Sequence, residues 1–99
     1  MNKITTREEI PATGIHFVKF GAEWCGPCKM MKPILNSFEE EGNSVFDIDI
    51  DSAPDLTREF QIKSVPTIVV VKDGLMVKRV VGLLPLEKLR GLMDDAPTG

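Results

Sequence analysis

Ninety-nine residues, 42% apolar and 27% charged, suit one compact domain over residues 1–99 with a core of its own. Twelve Lys and Arg against fifteen Asp and Glu give a net charge of −3, without the basic excess of a nucleic-acid binder. Apolar runs such as residues 69–71 and 80–84 fall far short of a membrane span, and the opening MNKITTREEIPATG lacks the apolar stretch of a secretion signal.

In chain order, residues 3–5 suit a short strand, and Thr6-Arg7-Glu8-Glu9 has the form of a capping box that opens a short helix stopped by Pro11. Residues 15–20 (IHFVKF) read as a strand ending at Gly21. From Cys25 to about Glu41, Met30, Met31, Ile34, Leu35 and Phe38 recur at helical spacing, with Pro33 inside and Gly42-Asn43 as the stop. Pro33 is expected to kink this helix. Residues 45–50 alternate as a strand, and residues 53–60 read as a helix with Pro54 in its first turn. Residues 67–72 and 75–81 form two strands about the hairpin signal Asp73-Gly74. Pro85 opens a last helix with Leu86, Leu89, Leu92 and Met93 on one face, and residues 94–99 are expected to fray. The order β-α-β-α-β-α-β-β-α predicts an α/β fold. Strand–helix–strand units imply parallel pairs, the hairpin adds an antiparallel one, and helices cover both faces of a mixed sheet.

The two cysteines stand three apart in Trp24-Cys25-Gly26-Pro27-Cys28-Lys29. As a structural disulfide, so small a ring would contribute only about 2 kcal/mol before strain. As a zinc site, one CxxC and the single histidine, His16, fall short of a four-ligand set, although counting leaves a metal shared between two chains open. The third reading, a reversible dithiol, fits best. At a helix start, the free N–H groups favour the Cys25 thiolate, and Cys28, one turn on, is the natural resolving thiol.

A wider set of landmarks resembles the thioredoxin family: Ala22-Glu23-Trp24-Cys25-Gly26-Pro27-Cys28-Lys29-Met30, Pro33-Ile34-Leu35, Ile50-Asp51, Val65-Pro66-Thr67, Asp73-Gly74 and Val81-Gly82. The resemblance runs from about Phe17 to the end; the first 15 residues depart from the family pattern. It implies a thioredoxin fold and reduction of protein disulfides, with Cys25 attacking and Cys28 resolving. It makes Val65-Pro66 a cis-proline loop facing the dithiol, a tight turn without an N–H beside the sulfurs. It places the groove for an extended substrate along Trp24, Gly26, Pro27, Val65, Pro66 and Gly82.

Two departures stand out. Six residues before Cys25, where the family carries a buried aspartate, this chain has Lys19; four before Asp51, where the family has a lysine, it has Asp47. The two charges have changed places. Either Asp47, or a water it holds, takes over proton transfer to and from the resolving thiol, or both side chains reach solvent and do nothing catalytic. Gly21 stands where the family has a Trp or Tyr, which predicts a looser active-site loop. His16 is expected to have no chemical role. Asp47-Ile48-Asp49-Ile50-Asp51 reads as a strand face rather than a calcium loop, because Ser52 and Arg58 replace the needed Gly and Glu.

The expected activity is that of a monomeric, cytoplasmic dithiol–disulfide oxidoreductase with no bound cofactor. Without a dinucleotide fingerprint, its electrons would come from a separate thioredoxin reductase or equivalent donor, and disulfide-containing proteins would receive them. A glutaredoxin-like, glutathione-dependent reductase is the nearest alternative. A redox-idle accessory subunit that clamps a partner is the alternative from another class.

Overall fold

The computed structural model describes residues 1–95. Among them the elements are β1 (Asn2–Lys3), a single 3-10 turn (Arg7–Glu9), β2 (Ile15–Gly21), α1 (Gly26–Glu40), β3 (Val45–Asp49), α2 (Pro54–Glu59), β4 (Thr67–Lys72), β5 (Leu75–Val81) and α3 (Leu86–Asp95). The strands form a mixed sheet in the order β1-β3-β2-β4-β5. β1, β3 and β2 run parallel; β4 is antiparallel to β2, and β5 to β4.

Alternation along each strand sends apolar side chains to two separate cores. Phe17, Val45, Ile68 and Val70 pack under Met31, Leu35 and Phe38 of α1 and Leu89 and Leu92 of α3. Val18, Phe20, Phe46, Ile48, Val69 and Val71 face the other way, against Ile4, Ile10, Leu56 of α2 and its caps Ala53 and Phe60. Phe17 and Phe38 meet edge to face with ring centroids 4.8 Å apart, a favoured aromatic geometry. Burying each of these large side chains contributes roughly 1.5–3 kcal/mol.

The structure refines several expectations. The first strand is two residues long and begins at Asn2; Ile4 leaves it for the core, 4% exposed, though its N–H still bonds the Asp47 carbonyl at 2.9 Å. The Thr6–Glu9 signal yields one 3-10 turn rather than a helix, with Glu9 Oε2 accepting from the Thr6 N–H at 3.0 Å, because Pro11 follows too soon for α-turns to propagate. α1 runs as one helix through Pro33, which lies on the exposed side where water can take the missing backbone bond. Met30, although at helical spacing, points outward and is 59% exposed; Met31 fills the core. The β3–α2–β4 segment does not return a parallel strand. The six residues of α2 reach only about 9 Å, so the chain re-enters the sheet at the edge it left and β4 runs backwards. The Asp73-Gly74 turn forms with both residues at positive φ (49° and 85°), as a tight hairpin twist requires. α3 continues to Asp95, so the first two residues of the tail expected to fray are helical; residues 96–99 lie outside the described residues.

Candidate active site

β2 and β3 lie side by side in register, Lys19 opposite Asp47 and Gly21 opposite Asp49. Both end at the edge where β4 begins, with Phe20 opposite Thr67. α1 starts a few residues beyond β2, so its N-terminus stands over that edge. Cys25 is its N-cap in extended conformation, and Pro27 sits in the first turn, where its missing N–H costs nothing. Cys25 and Cys28 form a disulfide with Cα atoms 5.3 Å apart. Cys25 Sγ also accepts a hydrogen bond from the Cys28 N–H at 3.2 Å, as an N-cap oxygen would. No acidic side chain occupies this first turn, so nothing there opposes a thiolate.

Ala22, Cys25 and Cys28 form a small buried cluster against which Val65 and Ile50 pack. The Val65–Pro66 peptide is cis. Gly82, at φ 106°, donates its N–H to the Pro66 carbonyl at 2.8 Å, which ties the end of β5 to this loop. Trp24 projects beside them, 67% exposed, its indole N–H donating to Asp51 Oδ2 at 3.0 Å. Trp24, Gly26 and Pro27 thus flank the cysteines along the chain, Val65 packs on them, and Gly82 is tied to Pro66.

Beneath the dithiol, on the α1 face of the sheet, Lys19 Nζ stands 3.5 Å from Asp47 Oδ1, with side chains only 3% and 13% exposed. The pair is enclosed rather than spread into solvent. Burial pushes the Lys19 ammonium below the usual lysine range, and Asp47 partly restores it by charge and hydrogen bonding. A cleft of about 250 Å³ opens here, lined by Lys19, Gly21, Cys28 and Asp47, with Lys3, Lys29 and Lys32 around its mouth. Cys28, 1% exposed by its own surface, therefore borders a space roomy enough for several waters.

A buried disulfide at a helix N-terminus, ringed by an exposed indole and a cis-proline loop, is built to open and close against another disulfide. The thioredoxin family model matches residues 2–95. The chain belongs to the thioredoxin family. It is 44% identical over 86 residues to a thioredoxin of Chlamydia caviae, covering 85% of this chain and 84% of that one. To a thioredoxin of Staphylococcus aureus it is 39% identical over 85 residues, 83% of this chain and 82% of the relative. Among solved structures, a mutant thioredoxin from Halobacterium salinarum superposes with a TM-score of 0.90 at 28% identity, over 99% of this chain and 91% of the other. Thioredoxin from Fasciola hepatica gives 0.88 at 26% identity, over 98% and 100%. This family member is a thiol–disulfide oxidoreductase that reduces protein disulfides through the Cys25–Cys28 pair. Neither the glutaredoxin-like nor the redox-idle alternative is favoured by these relatives. No helix among the described residues is long and apolar enough to cross a membrane.

Two features of the site escaped the sequence. Asp51 anchors Trp24 across 27 positions, which no local spacing announces. Gly21 does not leave a simple gap: a Cβ there would lie 3.0 Å from Lys19 Cε, 3.2 Å from its Nζ and 3.3 Å from Cys28 Sγ. The signal that could have pointed to it is the strand period of two, which sets Lys19 and Gly21 on one face.

Proposed function

We propose that Cys25 is the attacking thiolate and Cys28 the resolving thiol. Cys25 holds the N-cap position at the positive end of α1 and is the more open of the two, 6% exposed against 1%. Its thiolate attacks one sulfur of a substrate disulfide; a Cys25–substrate S–S bond forms and the other substrate sulfur leaves as thiolate, taking a proton. Cys28 then loses its proton and attacks Cys25 Sγ. The Cys25–Cys28 bond closes, the mixed disulfide breaks, and the two electrons of the dithiol end on the substrate.

Asp47, directly or through a water it holds, receives the Cys28 proton from the cleft side, with Lys19 as its charge partner. The substrate segment lies extended along Trp24, Gly26, Pro27, Val65, Pro66 and Gly82. No bound cofactor takes part: a thioredoxin reductase in a reducing cytosol returns the electrons, and the protein acts as a monomer.

The observation that carries this reading is the dithiol closed across the first turn of α1 with Val65 packed against it. The test is dithiothreitol-driven reduction of insulin, with Cys25→Ser as control. Catalysis lost in the variant supports the assignment, and catalysis retained refutes it. Comparing thioredoxin reductase with glutathione as donor tests the electron source. If Asp47→Ala leaves both turnover and the Cys28 titration unchanged, Asp47 has no part in proton transfer.

A further inference from the structure

Gly21 closes β2 with ordinary extended backbone, not at the positive φ that makes glycine necessary in the turns at Gly74 and Gly82. A glycine in a strand leaves no side chain to pack, and where no turn or bulge requires one it marks a close approach. Here the approach is between side chains. Lys19 Nζ and Cys28 Sγ both crowd the point a Cβ would occupy, so the ammonium and the resolving sulfur are no further apart than the two short distances end to end.

We propose that Gly21 is a positioning residue for the resolution step: its missing side chain is the passage through which the Lys19 ammonium reaches the Cys28 sulfur and holds it as thiolate. This rests on the disulfide-exchange reading above and adds how the resolving thiol is activated. A cation this close favours the charged form of the sulfur. Asp47 on β3 holds the lysine from the far side and keeps it charged. The other charges facing this space are Lys3 on β1, Lys29 and Lys32 on α1, Glu23, and Asp49 on β3. In the step itself the Cys28 thiolate attacks Cys25 Sγ, the Cys25–substrate bond breaks, and the substrate sulfur carries the electron pair away.

The test isolates the resolving thiol. In a Cys25→Ser background, Cys28 is titrated by its alkylation rate against pH and by ultraviolet thiolate absorbance, with Gly21→Ala, Gly21→Val and Lys19→Met added singly. Lys19→Met should lower the thiolate fraction near neutral pH roughly tenfold, Gly21→Val by a similar factor and Gly21→Ala by a smaller one, under about twofold. Gly21→Ala asks the flexible end of Lys19 and the Cys28 sulfur each to give by a few tenths of an ångström, so it keeps the test open if the valine variant fails to fold. Adding Gly21→Ala to Lys19→Met should then change nothing further, because the glycine acts through the lysine. A folded Gly21→Ala protein with an unmoved Cys28 titration overturns the proposal, as does an equal glycine effect with and without the lysine. This titration needs no substrate, so it stands apart from failure of insulin reduction, which would count against the catalytic assignment instead.

Discussion

Removing Asp47 alone strands a buried cation. Lys19 keeps 3% of its side-chain exposure, its carboxylate partner is 3.5 Å away, and the other charges around it include Lys3 and Lys32, which oppose its charge. Breaking a buried pair by deleting one partner costs about 3–5 kcal/mol. Asp47 is 13% exposed and the pair borders a cleft that water can enter, so the lower end applies, about 3 kcal/mol. For a domain of this size that lowers the melting temperature by about 12 °C or more. The pH dependence has a definite sign. Burial holds Lys19 below its ordinary value, so the folded chain binds fewer protons than the unfolded one in the window beneath that value, and stability there rises with pH. Asp47→Ala removes the group that offsets burial and pushes Lys19 down further. The loss should be largest near neutral pH and shrink as the ordinary lysine value is approached, where Lys19 sheds its proton whether folded or not. Thermal unfolding of the oxidised protein at several pH values measures this, and adding Lys19→Met should restore most of the lost stability. A loss below about 1 kcal/mol that ignores pH would refute the argument and mean that the pair is effectively solvated.

Phe38→Ala should cost about 3–5 kcal/mol in urea unfolding, because it empties the ring that meets Phe17 and leaves a cavity under α1; a cost below about 1 kcal/mol would mean the site collapses freely. Gly74→Val should destabilise by about 1–2 kcal/mol, since a branched side chain fits poorly at φ 85°; an unchanged melting curve would show that the hairpin re-forms with another turn. Hydrogen exchange across residues 21–24 should be faster than in the rest of β2, reflecting the missing ring at Gly21, and equal protection would count against a looser loop.

Strand and helix types were readable wherever a period ran long enough: IHFVKF, the Met31–Leu35–Phe38 stripe and the Asp73-Gly74 hairpin all lie where alternation or turn chemistry put them. The direction of β4 was not readable, because it depends on how far a six-residue helix can carry the chain, a matter of length rather than composition. The dithiol was legible from two cysteines and their neighbours. The Lys19–Asp47 exchange was visible as two oddities, and only the register between β2 and β3 shows that they face one another. Gly21 was seen as a lost ring. That a lysine from two residues upstream fills the gap and meets a sulfur from α1 is a tertiary fact with no counterpart in any window of sequence.

None of Trp24, Gly26, Pro27, Val65, Pro66 and Gly82 lines the cleft behind Cys28. The molecule therefore has a front door and a back door. A folded protein docked over the front would seal its own sulfur chemistry from water, while the back stays open to the solvent on the lysine side. On the proposed reading, protons leave Cys28 by a route that a docked substrate does not block, so a bulkier substrate should slow docking without slowing the deprotonation of Cys28.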